Sequence, residues 1–585
     1  MKAILLYILI ISTFGSLHFS FIGGYEESHI LFLASSCLLS IVSVFYSKKK
    51  FTYNLIDIVV AIYVLFHIST LTFYGNRYGT DMPYLVATFW MLLLAFKRLF
   101  TFRQVARNVL WIIVFFAGIE IIIGFGQLYG VWGNSNSLFQ LGGSFGNPGP
   151  FAGYLSVCAP MTLSTLFLLK RRKKYENLMY LFLACFIFEL CLVAISCSRG
   201  AYVACFIGTL MVLESYYSIF KRFAWKKHFK LITASLIVLG ICVSIFGYYM
   251  KSDSADGRVL IWKITMGTPH KSLLVGDGIS SFGANYCKWQ REYFATNHGT
   301  ELERKIADYV TCAYNEFIET YVDQGILGLG LMICIVVFSL RTKVTRKTFV
   351  LVGSKASLIG FIVLCCVSYP FQIHLMYLHF VTILALLLSG QDNENVKMAF
   401  NKRVYIEYLY CAISLLVFIF GVHQLYGYSL LKKGRECIAM GNVDSAIAYY
   451  QQAYPIIGND GTFLLFYGSA LSTKGNTVMA INTLRRAEQK SSDPAIFILL
   501  GNLYKQERHF VKSRVAYQAA INTIPSRIYP KYLLVKLLDN FGYQAESCIL
   551  AKRLLSTKEK VPTVAGKEIK DEMRLIIQKY QTNSQ

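Results

Sequence analysis

The chain has 585 residues, of which 55% are hydrophobic, 15% aromatic and only 16% charged, with a mean hydropathy of +0.46. An ordinary soluble domain carries about 25% charged residues, and the same arithmetic excludes a disordered polymer, a collagen, a coiled coil and a small disulfide-stapled domain. The net charge of +25, from 58 Lys+Arg against 33 Asp+Glu, fits either a nucleic-acid binder or a membrane protein whose cytoplasmic loops hold the surplus.

Taken in chain order, thirteen apolar stretches approach the ~20 residues that a membrane helix needs. They are roughly 3–22, 29–46, 55–73, 84–96, 108–130, 149–169, 178–197, 201–219, 231–250, 322–340, 349–367, 371–389 and 404–426, with 84–96 the shortest. The first is too long for a cleavable signal peptide, and no small-residue cleavage site follows it. Six short segments between alternate spans (48–50, 97–107, 170–174, 221–230, 341–347 and 391–403) hold 24 of the 58 basic residues. The intervening short loops 23–28, 74–83, 131–148, 198–200 and 368–370 hold only Arg77 and Arg199. This alternation predicts a cytoplasmic N-terminus and outward-facing loops 131–148 and 198–200. The 65-residue segment 251–315 and the tail 427–585 then face outward too, and no nucleic-acid partner is expected. The expected fold is all-α: a polytopic membrane domain over 1–426 with an outer loop domain at 251–315, followed by a helical repeat domain over 427–585.

Segment 251–315 mixes both signs of charge with Gly and aromatics, as a folded, functional outer loop would. The tail repeats a helical pattern at 33–34 residues through Gly441/Gly475, Ala446/Ala480, Gly468/Gly501 and Ala453/Ala487/Ala520, with Pro494 and Pro525 near two repeat ends. This is the small-residue pattern of tetratricopeptide helix pairs, in two clear units and one or two degenerate ones, and such arrays bind peptides or partner proteins. A plain helical cap is the alternative.

The fifteen cysteines fall mostly within spans as small apolar side chains. No CxxC or zinc spacing occurs, so neither a metal site nor a cofactor is expected. Cys287 and Cys312 share the outer segment, where a disulfide could join them. Ionisable residues at membrane depth are expensive, which singles out Asp57, Glu120, Glu189, Glu214 and Lys355. For Asp57 and Glu214 pairing between helices or snorkelling suffices, and Lys355 calls for a carboxylate partner.

On the outer side, Arg199 in SCSRGAYVA breaks the charge pattern at a place suited to meeting an anion. GRVLIWKITM sets Arg258 and Lys263 beside an apolar, aromatic stretch, the makeup of an interfacial helix. Guanidinium groups grip phosphates bidentately, and a pyrophosphate held by two of them becomes a better leaving group. The loop NSNSLFQLGGSFGNPGPFAGYLS reads either as a turn that hydrogen-bonds sugar hydroxyls or as a plain connector.

Four stretches together resemble the O-antigen ligase superfamily, which includes O-antigen ligases, O-antigen polymerases and bacterial protein O-oligosaccharyltransferases. They are GSFGNPGPFAGYLS (143–156), SCSRGAYVA (196–204), GRVLIWKITMGTPHKSLLVGDGISSFGANY (257–286) and AYNEFIETYVDQGILGLGLM (313–332). The likeness covers roughly 110–390 in the right order and topology. It implies transfer of a glycan from a polyprenyl-pyrophosphate carrier to an acceptor, lipid A core or a protein hydroxyl, at the outer face of a bacterial inner membrane. It also implies that Arg199 and Arg258, with Lys263 nearby, hold the pyrophosphate. The family's His-Asn pair, whose His is the general base, is here Tyr314-Asn315. A tyrosine of ordinary pKa near 10 is a poor base at neutral pH. Either an arginine lowers it, or Glu316, Glu319 or His298 takes the proton, or no strong base is needed. The tail is expected to recruit an acceptor protein or partner enzyme, which favours protein O-glycosylation. A repeat-unit polymerase, a secondary transporter and a non-catalytic scaffold are the alternatives; the transporter lacks matched broken spans.

Overall fold

A computed structural model describes residues 2–18, 25–46, 55–74, 83–170, 176–218, 252–296, 298–341, 349–389, 403–557 and 563–582. Within these residues the chain is entirely helical, with no strand. In the membrane region α1 (Lys2–His18), α2 (Tyr25–Tyr46), α3 (Leu55–Tyr74), α4 (Pro83–Phe100), α5 (Arg103–Leu128), α6 (Pro148–Lys170), α7 (Glu176–Ile195) and α8 (Arg199–Tyr217) come first. Segment 251–315, expected to face outward, adds α9 (Ser252–Gly267), α10 (Ser281–Ala295) and α11 (Glu301–Ile306), and the bundle resumes with α12 (Glu316–Arg341), α13 (Phe349–Val367), α14 (His374–Ser389) and α15 (Arg403–Ala439). Twelve of the thirteen predicted spans coincide with these helices, and 231–250 lies outside the described residues. Among the described residues eight helices are long and apolar enough to cross a membrane, and Ile4–His18, Leu55–His67 and His374–Ser389 are shorter apolar ones. This is a multi-pass membrane protein.

The best-buried helices of the bundle are α6 and α14, covered on nearly every face. Such all-round burial needs hydrophobicity without a polar stripe. Ionisable residues at this depth are hydrogen-bonded. The Asp57 carboxylate pairs with the Lys97 ammonium between α3 and α4, the interhelical pairing expected for Asp57. Glu120 meets His18 at 3.0 Å and accepts from the Ser144 amide at 3.0 Å, and Glu189 accepts from Thr162 at 2.9 Å. Lys355 donates to the Leu340 carbonyl at 2.9 Å, so a backbone oxygen takes up part of the role expected of a carboxylate.

Helix α15 is a single 37-residue element. It runs from the membrane region across residue 426 into the tail, so the expected domain boundary falls inside a continuous helix. The tail continues with α16 (Val443–Ile457), α17 (Gly461–Thr473), α18 (Thr477–Lys490), α19 (Pro494–Gln506), α20 (Phe510–Thr523), α21 (Ile528–Asn540), α22 (Gln544–Ser556) and α23 (Val564–Thr582). They pack as successive hairpins: the end of α15 with α16, then α17 with α18, α19 with α20, and α21 with α22.

Close helix approach explains the small residues. A Cβ at Gly434 would lie 2.2 Å from the Tyr450 ring, at Gly468 2.7 Å from Leu484, and at Gly501 2.4 Å from the Tyr517 ring. Each hairpin turns on one left-handed residue: Gly441, Gly475, Arg508 and Gly542. The third carries a side chain at φ 56°, where an L-residue is strained by about 1–2 kcal/mol. Arg508→Gly is therefore expected to stabilise that hairpin by about 0.5–1 kcal/mol after the added chain entropy of glycine. Slower amide hydrogen exchange across α19 and α20 would show it.

Candidate active site

The outer segment is stitched onto a kink in α12. Gly325 adopts φ 65°, ψ −165°, a conformation essentially confined to glycine, and a Cβ there would come 2.3 Å from the Leu274 carbonyl oxygen. The break frees backbone groups of α12, and the loop before α10 takes them up. The Asp277 amide donates to the Val322 carbonyl (2.8 Å), the Gly278 amide to that of Asp323 (3.1 Å), and the Ile326 amide to that of Leu273 (2.9 Å). The Asp323 carboxylate accepts from the Ser280 and Phe282 amides and the Ser281 hydroxyl at 2.7–3.0 Å, fixing the start of α10. His270 is held by Asp277 at 3.0 Å, a contact that raises the imidazole pKa above its ordinary value. Thus the VGDGISSFGANY and YVDQGILG stretches form one structural unit.

That unit presents α9 to the start of α8 and the end of α13. Trp262 Nε1 donates to the Ala313 carbonyl at 2.8 Å, which places Arg258, one turn earlier, beside Tyr314. The guanidinium carbon lies 5.2 Å from the Tyr314 ring centroid, and Nη1 donates to the Val367 carbonyl at 2.7 Å. Tyr314 stacks edge-on against Tyr369, with centroids 5.3 Å apart. It is also one of the non-glycine residues with positive φ, at 52°, so surrounding contacts hold it in a costly conformation. Arg199 opens α8, and Gly200 behind it sits so close to Val367 that a Cβ would meet its methyl at 2.8 Å. Burial draws the Arg258 pKa below its ordinary value, and repulsion from Arg199 adds to the shift. Arg258 and the start of α8 thus both pack against Val367, one through its carbonyl and the other through its side chain.

Beside this cluster lies a cavity of about 830 Å³. Glu316, Glu319 and Gln324 of α12 line it, with Tyr369 shared between cavity and cluster, and Tyr63, Phe89 and Trp90 form its apolar floor. Glu319 accepts from the Ala313 amide at 2.9 Å and from the Gln372 amide nitrogen at 2.7 Å.

The residues expected from sequence divide accordingly. Arg258 and Tyr314 pack together, and Arg199 opens α8 where Gly200 meets Val367. Asn315 works partly as a helix N-cap, its side-chain oxygen accepting from the Phe317 and Ile318 amides at 3.0 and 3.1 Å while its nitrogen donates to the Cys366 carbonyl at 3.0 Å. Glu316 is buried and accepts from the Phe371 amide at 2.8 Å. Lys263 stands five residues from Arg258, about 140° around the helix, and reaches Glu303 at 2.7 Å. His298 is exposed and bonded to Thr296 at 2.7 Å.

Tyr314 departs from one expectation. Burial pushes its pKa above the ordinary value, and attraction to Arg258 only partly offsets that rise; the phenol stays neutral. Cys287 and Cys312 are corrected as well. Both are buried free thiols, with Cys287 Sγ turned toward the Val310 carbonyl at 3.9 Å. Among the described residues no group of three or more His, Cys, Asp or Glu could hold a metal ion. Sequence reasoning singled out neither Gln324 nor Ser280, although both lie within the quoted stretches, nor Gln372, and all three line the cavity.

Comparison with known proteins gives one family. Residues 152–333 match the family model described as O-Antigen ligase. The matched span begins in α6 and ends in α12, so it contains Arg199, Arg258, Tyr314 and Glu319. No curated protein matches the chain.

Proposed function

We propose that the protein, whose residues 152–333 match the O-Antigen ligase family model, transfers a glycan from a polyprenyl-pyrophosphate carrier to an acceptor hydroxyl at the outer face of a bacterial inner membrane. The acceptor is lipid A core or a protein hydroxyl, and the tail is periplasmic or otherwise extracytoplasmic. The observation that carries this reading is that Arg258 and the start of α8, which Arg199 opens, meet at Val367, beside a cavity with an ionisable wall.

In this mechanism the two guanidiniums bind the pyrophosphate and neutralise charge as it leaves, an electrostatic contribution worth most where water is scarce. The acceptor oxygen attacks the anomeric carbon as the bond from that carbon to the pyrophosphate oxygen breaks. Polyprenyl pyrophosphate departs, and Glu319 takes the acceptor proton. Tyr314, neutral and packed on Arg258, donates a hydrogen bond and orients the reacting groups. Proximity supplies much of the remaining rate.

Glu319→Gln keeps the shape and part of the hydrogen bonding but removes the base. It is expected to lower kcat about 100-fold or more while donor binding persists. An unchanged rate would take the proton-accepting role away from Glu319.

A further inference from the structure

The cavity beside Glu319 has a wall that lies outside the ligase-like region. Its lining continues from Tyr63 and Trp90 through Ser280 and Tyr309 of the outer segment to Thr462, Lys490 and Ser491 of the tail. The last three stand at the start of α17 and the end of α18. These ends meet because residue 461 is glycine; a Cβ there would lie 2.5 Å from that of Ser491.

Contacts elsewhere along the same seam fasten the tail to the outer segment. Gln290 donates to the Thr523 carbonyl at 2.6 Å in a buried bond, and Lys288 donates to that of Gln489 at 3.3 Å. The Arg291 guanidinium lies 4.6 Å over the Phe497 ring, and Arg527 approaches Asp308 at 3.6 Å. The tail and the outer segment therefore lie on the same side of the membrane region, and the wall is held in place.

Two polar atoms of lining residues are buried with no hydrogen-bond partner: Gln324 Oε1, on a side chain that is 6% exposed, and Ser280 Oγ. Such atoms are costly unless a ligand or water satisfies them. An amide oxygen and a hydroxyl among the rings of Trp90, Tyr63 and Tyr309 suit the hydroxyls and apolar faces of a sugar better than a peptide chain.

We infer that the helical tail forms the acceptor-side wall of the reaction chamber, where Thr462, Lys490 and Ser491 help select a glycan acceptor whose hydroxyl is presented to Glu319. This rests on the transfer reading above and gives the tail a role inside the site, beyond recruiting a partner.

The test uses the full-length protein in proteoliposomes, with carrier-linked glycan as donor and either a hydroxyl-terminated oligosaccharide or a Ser/Thr peptide as acceptor. Thr462→Trp adds bulk at an exposed position, where folding tolerates it, and Lys490→Glu changes charge without adding bulk. Each is expected to raise the KM for the oligosaccharide about ten-fold and to leave donor binding unchanged. Normal acceptor KM in both variants would overturn the inference, as would parallel loss of donor binding, or transfer to the peptide alone. Failure of the unmodified protein with both acceptors would overturn the transfer reading and this inference with it. Normal transfer by both variants would overturn the inference alone.

Discussion

Arg258→Ala is expected to reduce glycan transfer by about 10²–10³-fold, the usual cost of deleting one preorganised donor to a developing oxyanion. Arg258 is already oriented, with its guanidinium carbon 5.2 Å over the Tyr314 ring and one nitrogen fixed on the Val367 carbonyl. The nitrogens not used by that carbonyl can then meet the pyrophosphate at little entropic cost. The folding penalty is small by comparison, one hydrogen bond and one cation–π contact, or about 1–3 kcal/mol together. The variant should insert at normal levels and fail in transfer. Arg258→Lys restores charge but not the planar fork, and should recover only part of the rate. Transfer assays on membranes matched for protein amount measure both.

Gly325→Ala should have the largest effect on the fold. A methyl group there must displace the Leu274 carbonyl, 2.3 Å away, and alanine resists the backbone conformation as well. The conformational cost alone is about 1–3 kcal/mol, and relief by shifting the loop would break the bonds that Ile326 and Leu327 make to Leu273 and Leu274. The expected result is detachment of the outer segment: early proteolysis between 268 and 280, and loss of transfer although every proposed catalytic side chain is present. Measured protection equal to the unmodified protein would show that the kink does not hold the site together.

These two sites were unequally legible in the sequence. Arg258 stood out because it sits beside the apolar, aromatic stretch of GRVLIWKITM, a pattern that the sequence itself displays. Gly325 sat inside an apolar run where glycine is common in membrane helices, and only the approach of Leu274 gives it meaning. The same division holds elsewhere. The helical period and the 33–34-residue repeat exposed the tail hairpins through Gly441 and Gly475, but Arg508 hid the third turn because its backbone, not its side chain, matches the others. For Asp57 the sequence allowed pairing or snorkelling, and its partner Lys97 was not named because forty residues separate them. Lys263 was grouped with Arg258 by nearness in the chain, and helix geometry turned it toward Glu303. The chamber itself was illegible, since its walls come from positions as distant as Tyr63 and Ser491. Neutral Tyr314 could not be read either: its titration follows from burial, which outweighs the neighbouring guanidinium.

The central claim is that this protein moves a glycan from a lipid pyrophosphate carrier to an acceptor. The most direct measurement is reconstitution of the purified full-length chain with a polyprenyl-pyrophosphate glycan and a hydroxyl-bearing acceptor, following both products. Glycosylated acceptor should appear together with an equal amount of free polyprenyl pyrophosphate, and both should vanish in Arg258→Ala. Intact donor after prolonged incubation with a correctly folded protein, or glycan carried across the bilayer without cleavage from its carrier, would contradict the account.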